Sequence, residues 1–317
     1  MDKNRRIIFT ILALVLVSCI LAVIDISLNI KTTEQKEIRL PVPEFGPGVG
    51  VIKVYGPISI SGSGGSPIGM GASGADAIVK KLSKLGEDGR IKAVVLRINT
   101  PGGTIAAVQE IFGKLMELRK QNIILVASMG DVAASGGYYI ASACNYIVAN
   151  QGTITGSIGV IAAAPNIRGL FDKLGIKMNV IKSGKYKDIL SSFRELNPDE
   201  RDLLQEMIDS SYMKFLKDVS LGRNTPISDI KPYADGRVFN GETALKYKLI
   251  DGIGTYQDAI DKAKSLAKLP KDAPVYDQTG SPFEQILMSI EGALGKKSFE
   301  DTLKQKNYSM IEYSIEP

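Results

Sequence analysis

Ser135 lies in Ala133-Ala134-Ser135-Gly136-Gly137-Tyr138-Tyr139, a serine with small residues on both sides, after a strand-like run and before an apolar helical segment. That is the setting a nucleophile needs. Small neighbours let a carbonyl approach, and the start of a helix leaves backbone N–H groups free. The same surroundings also suit a serine packed at a tight turn with no chemistry. A second element is Asn99-Thr100-Pro101-Gly102-Gly103, a turn after a buried strand whose glycines can aim N–H groups at an oxyanion. Alone, it is equally a plain strand-to-helix turn.

The chain contains no histidine. Ser-His-Asp and Cys-His catalysis, His-ligated zinc and imidazole acid–base chemistry are all excluded. A serine nucleophile here needs another base, and lysine is the known substitute. Free lysine has a pKa of ~10.4, and bringing it into the working range by about 2–3 units takes roughly 3–4 kcal/mol of preference for the neutral amine. An apolar, carboxylate-poor site can supply that. Between Lys120 and Arg168 the only charge is Asp131, so this stretch is core, active-site wall or subunit interface. Lys182, Lys185 and Lys187 follow close together, and physics alone does not choose among them.

Several elements position these residues. Val51–Tyr55, Ala93–Ile98 and Asn122–Ala127 read as strands, and Ala75–Leu85 and Ile105–Arg119 have helical spacing. Strand, turn, helix, strand implies right-handed crossovers and an α/β class. Pro57–Gly74 is rich in Gly and Ser and reads as a loop. Asn197-Pro198-Asp199-Glu200 is a helix start with cap, proline and capping-box acid, and the helix is expected to reach about Leu221. Its weak apolar stripe suggests a packing or oligomer role. Gly241–Leu249 reads as a further helix, and no internal repeat is present.

At the amino terminus, Lys3, Arg5 and Arg6 precede 18 uncharged residues, Ile7–Ile24. About 20 apolar residues span a bilayer core as a helix, whereas a cleaved signal peptide has a run of about 7–15 and a small-x-small site, which Ala22-Val23-Ile24-Asp25 lacks. The expectation is a single transmembrane anchor over 7–26, a cytoplasmic flank over 1–6, a linker over 27–47, a catalytic domain over 48–270 on the extracytoplasmic side, and a tail over 271–317. A rival reading takes Leu16-Val17-Ser18-Cys19 as a lipoprotein box, although the apolar run continues past Cys19. Cys144 is the only other cysteine, so no disulfide framework exists beyond the apolar segment. The net charge of +5 is dispersed, without a basic stripe, and nucleic-acid binding is not supported.

Five motifs in order, LRINTPGG (96–103), AASGGYYIA (133–141), GTITGSIGV (152–160), SGKYKDI (183–189) and DGRVFNGETALKYKLID (235–251), resemble the bacterial signal peptide peptidases, the SppA-type serine-lysine peptidases. The resemblance covers roughly residues 48–265. It implies a fold of the crotonase and Clp-protease type, with stacked β-β-α units assembled into rings. It implies Ser135 as nucleophile, Lys187 as general base, Ser157 as holder of the lysine amine, and an oxyanion hole from the N–H groups of Gly136 and the Gly102/Gly103 pair. In such a family the serine and lysine of one site can come from neighbouring subunits. Where the family has Ser, this chain has Thr100, which is expected to contribute mainly backbone. Asp188, beside Lys187, is expected to point away from the amine.

The function implied is a membrane-anchored serine endopeptidase cutting apolar peptides such as remnant signal peptides, with no cofactor and no metal. A related enzyme cutting membrane or stomatin-like proteins is the nearest rival. A non-catalytic membrane-anchored scaffold is the second class, and Ser135, Ser157 and Lys187 together argue against it. Enoyl-CoA chemistry, the third class, has no Glu pair beside the glycine turns.

Overall fold

The computed structural model describes residues 46–61 and 74–277, all inside a compact unit that spans Phe45–Leu287. The expected anchor, Cys19, the linker as far as residue 45, residues 62–73 of the glycine- and serine-rich loop and the tail from 278 lie outside the described residues. Among the described residues no helix is long and apolar enough to cross a membrane.

The frame is an eight-stranded sheet, numbered by the ranges given next, in which six strands run β6-β5-β3-β2-β1-β8 while β4 branches beside β3 and β7 pairs with β4. The strands are β1 (Gly48–Tyr55), β2 (Ile91–Thr100), β3 (Ile124–Ala134), β4 (Tyr146–Ala149), β5 (Ile154–Gly156), β6 (Val238–Asn240), β7 (Gly252–Ile253) and β8 (Val275–Asp277). Pairing is parallel except between β5 and β6. The helices are α1 (Ala75–Glu87), α2 (Ile105–Lys120), α3 (Gly136–Ser142), α4 (Arg168–Lys173), α5 (Pro198–Arg223), α6 (Ile227–Ile230), α7 (Gly241–Lys246) and α8 (Tyr256–Leu266), with a 3₁₀ turn at Lys231–Tyr233. The α/β class read from the sequence is the class observed.

Strand alternation sorts the core into two layers. Ile52, Val54, Val94, Leu96, Ile98, Leu125, Ala127 and Met129 pack under α1, α2, α3 and the second half of α5. Val49, Val51, Ala93, Val95, Val126 and Val148 face the other way, onto Ala259, Ile260 and Ala263 of α8. The three central strands are therefore buried on both sides, which is why they read as unbroken apolar runs.

β3 does the positioning. Its first half pairs with β4 (Val126↔Tyr146 to Met129↔Ala149) and its last three residues with β5 (Val132↔Ile154 to Ala134↔Gly156). The switch falls where the register against β2 slips, between Ile98 and Thr100. A bulge of that kind bends a strand and ends one pairing. Asn99 holds it: its Oδ1 accepts from the Val132 N–H at 3.0 Å, and its Nδ2 reaches Asp131 at 3.4 Å. β8 lies past residue 270 and completes the sheet edge beside β1.

Cys144 sits in the main core at 1% exposure, and burial pushes its thiol up to about 12. The thiolate is the nucleophile in alkylation, so this residue is chemically silent in the native fold. Peptide mapping after maleimide treatment at pH 7.5 should find Cys144 unmodified in native protein and fully modified in denaturant. Modification of native protein at the rate of a free thiol would contradict this placement.

Candidate active site

β3 ends at Ala134, α3 begins at Gly136, and Ser135 is the single residue between them. Its backbone has φ 53° and ψ −118°, a conformation rare for a residue with a Cβ and worth of order 1–3 kcal/mol of strain. Such a strand-to-helix elbow lifts a side chain clear of the sheet edge. Two hydrogen bonds impose it: the Ser135 N–H donates to Gly156 O at 2.9 Å, and Ser135 O accepts from the Tyr139 N–H at 2.9 Å.

The glycine turn is built against this elbow. The N–H of Ile58 donates to Gly102 O, and Ile58 O accepts from the Thr104 N–H, each at 2.9 Å. A Cβ on Gly103 would stand 1.9 Å from Ile58 O, so no side chain fits. Gly102, at φ 113°, would carry a Cβ 2.9 Å from Ser135 Cβ and 2.8 Å from Gly136 N. A Cβ on Gly136 would fall 3.2 Å from Gly103 N. The two glycine pairs thus meet backbone to backbone beside Ser135.

The expected oxyanion donors separate at this point. The Gly102 N–H is taken by Thr100 Oγ1 at 3.1 Å. Among the described residues the N–H groups of Gly103 and Gly136 meet no acceptor. Gly103 and Gly136 are left as the free donors. Thr100 departs from the sequence expectation as well. Its side chain, fully buried, is the acceptor that shapes the turn, and its methyl lies where Gly137 has room for no Cβ.

Ser157 follows Gly156 on β5 as Ser135 follows Ala134 on the paired β3, and it repeats the φ of 53°. Its N–H donates to Arg237 O at 2.8 Å. The structure therefore brings Ser135 and Ser157 to one sheet edge, each half-buried. A cavity of about 120 Å³ opens from Ser135, walled by Ile105, Val108, Tyr139, Val160, Ile161 and Phe215. Sequence reasoning missed this wall. Phe215 and Ser211 come from α5, and the stacking of Phe215 on Tyr139 (4.4 Å) together with the bond from Tyr139 Oη to Asp218 sets that helix against α3.

Lys187 stands apart. It is exposed on a loop before α5, does not line the cavity, and has no bond to Ser135. Its neighbours differ from it in one respect. Lys182 Nζ is 2.6 Å from Asp188, and Lys185 Nζ pairs with Asp199, while Lys187 Nζ has no carboxylate partner among the described residues. Asp188 itself is turned to Arg194, which holds it with Nε at 2.9 Å and Nη2 at 2.8 Å. Two cations hold the Asp188 carboxyl well below the usual carboxylate range. Among the described residues no group of His, Cys, Asp and Glu could hold a metal ion.

The sequence profile of peptidase family S49 matches residues 117–270, which include Ser135, Ser157 and Lys187, and that of Clp protease matches residues 68–150. A putative protease of Synechocystis is 47% identical over 211 residues, covering 67% of this chain and 76% of that protein. The chain belongs to peptidase family S49, of the SppA type. Two further relatives place this S49 chain more widely. A putative protease of Methanocaldococcus jannaschii is 40% identical, covering 60% of the chain and 61% of the relative. A putative signal peptide peptidase of Enterococcus faecium is 39% identical, covering 62% and 57%. The S49 chain spans less than two thirds of each of these two.

Proposed function

We propose that this S49 protease is a membrane-anchored serine endopeptidase with a Ser135–Lys187 dyad, acting outside the cytoplasm on apolar peptides such as remnant signal peptides. One observation carries the reading: Ser135 on its strained elbow shares a cavity mouth with the two unclaimed N–H groups of Gly103 and Gly136. Neutral Nζ of Lys187 takes the Ser135 hydroxyl proton as Oγ bonds to the scissile carbonyl carbon. The carbonyl oxygen, now negative, accepts from Gly103 and Gly136. Nζ then returns the proton to the leaving amine, and water hydrolyses the acyl-enzyme by the same route. Ser157 Oγ orients the amine. The apolar walls accept an aliphatic or aromatic side chain next to the scissile bond.

The dyad is shared between copies in a homo-oligomeric ring. Support comes from the segment that carries Lys187. From Ile161 to Leu190 it exposes Ile161 (90%), Leu174, Ile176, Met178, Val180 and Ile181 (102%), and Met207 and Leu221 of α5 are exposed as well. Apolar surface of that extent marks an interaction face. A head-to-tail ring would seat it on the next copy's cavity.

Mixing tests this. Ser135→Ala and Lys187→Ala proteins should each fail to label with a fluorophosphonate or to cut an apolar fluorogenic peptide. Co-assembled in equal amounts, they should regain about a quarter of wild-type activity, the share of interfaces pairing an intact serine with an intact lysine. No recovery in a verified mixed assembly would place the dyad within one chain. Wild-type protein that never labels between about pH 7 and 10, where a lysine base loses its proton, would leave the scaffold reading.

A further inference from the structure

We infer that Arg194 is the positioning residue of the dyad: it locks Asp188 away from Lys187 and ties the lysine loop to the first turn of α5. The inference rests on Lys187 being the base. Arg194 uses its whole guanidinium. Nε and Nη2 grip the two oxygens of Asp188, and Nη2 also donates to Asp188 O at 3.1 Å. Nη1 and Nη2 grip Glu200 at 2.8 and 2.6 Å, and Nη1 donates to Glu195 O at 3.0 Å. A planar fork satisfied on both edges is a geometry lysine cannot supply.

The anchor is rigid. Glu200 is fully buried, and its carboxylate also accepts the Asn197 N–H at 3.1 Å, while the Asn197 side chain accepts the Glu200 N–H at 2.9 Å. This capping box fixes the start of α5, and through Arg194 it fixes the loop one residue from Lys187. Lys182 Nζ closes the ring on Asp188 and on Lys185 O at 3.0 Å.

The electrostatic consequence is specific. The charged groups near Lys187 along its own segment are Lys182, Lys185, Asp188, Arg194 and Glu195, and Asp199 and Glu200 at the start of α5 are paired to that segment. Tyr186 is the neighbouring titratable group. At Ser157, Asp235 and Arg237 are paired with each other. Asp188 is the carboxylate adjacent in sequence to Lys187, and it is neutralised twice over. A base that must reach Ser135 as a neutral amine is left without a counter-ion that would hold its proton.

The pH dependence of fluorophosphonate labelling at Ser135 in the full-length oligomer reads this directly. Arg194→Ala should move the alkaline rise in labelling rate up by about one pH unit, because it takes a positive charge from beside the lysine and leaves Asp188 with Lys182 as its one remaining cation. Arg194→Ala with Asp188→Asn should return the rise to its wild-type position, even at a lower maximum. Arg194→Ala also orphans the buried Glu200, so the same series belongs in a Glu200→Gln background, where no buried charge is left unpaired and the cap is kept. A rate that falls equally at every pH, or a double variant that stays displaced, would reduce Arg194 to a structural residue. Lys187→Ala separates the two ideas: labelling at the wild-type rate overturns the base itself, whereas a dead Lys187→Ala with an unmoved Arg194→Ala profile overturns only the lock.

Discussion

Ser135→Ala is expected to lower peptide hydrolysis by about 10⁵–10⁶-fold, the scale on which a serine peptidase loses its nucleophile. The residue's side chain makes no capping hydrogen bond to α3, and the elbow is held by backbone bonds to Gly156 and Tyr139. Removing Oγ therefore deletes the attacking atom and leaves the turn, the free donors at Gly103 and Gly136 and the cavity as they were. The melting temperature should move by no more than about 2 °C, in line with a change well under 1 kcal/mol in a domain of this size. The readouts are steady-state hydrolysis, fluorophosphonate labelling and thermal unfolding of the same preparation. Residual hydrolysis above about 1% of wild type, after contaminating protease is excluded by affinity-purified replicates, would move the nucleophile elsewhere. A large loss of stability together with lost activity would show Ser135 to be a turn residue, the alternative its sequence surroundings left open.

What the sequence exposes follows a physical divide. The two-sided burial of β1, β2 and β3 makes them legible as apolar runs, and the Asn197–Glu200 capping box is readable from four residues because its chemistry is local. β3 reads as a strand only to Ala127, yet it continues to Ala134. Gly130 and Asp131 look like breakers, but a Cβ on Gly130 would press on the Asn99 side chain at 3.2 Å, and Asn99 bonds the backbone across the bulge. A partner from another strand overrides the local signal. The helix expected over Gly241–Leu249 stops at Lys246, with Lys248 at φ 59° turning the chain into the Leu249–Asp251 connection. β4 to β8 are two to four residues long, too short for any period. At the site, Gly102, Gly103 and Gly136 are legible because backbone or side-chain atoms of neighbouring segments stand where a Cβ would go. The cavity wall on α5 is not, because it depends on Tyr139 stacking with Phe215 across the fold. Nor is the choice among three lysines, which turns on ion pairs that only the folded loop forms: Lys182 with Asp188 inside it, and Lys185 with Asp199 of α5.

That choice predicts opposite outcomes for neighbours two residues apart. Lys187→Ala should reduce hydrolysis and labelling by at least about 10³-fold, since general-base catalysis alone contributes 10²–10⁴ and acts as a unit with the nucleophile. Lys185→Ala should stay within about threefold of wild type, because its pair with Asp199 is exposed on both sides and screened by solvent, so losing it disturbs little. Contact with Asp199 also raises the Lys185 pKa, the wrong direction for a base. Both side chains are exposed in the single chain, so neither substitution opens a cavity, and circular dichroism and oligomer size should match wild type. The loss in Lys187→Ala should be in kcat, with KM little changed, because the amine moves a proton and does not hold the peptide. An active Lys187→Ala beside an inactive Lys185→Ala would transfer the base to Lys185. It would also require Asp199 to release that amine when copies assemble, since an ammonium held by a carboxylate cannot accept the serine's proton.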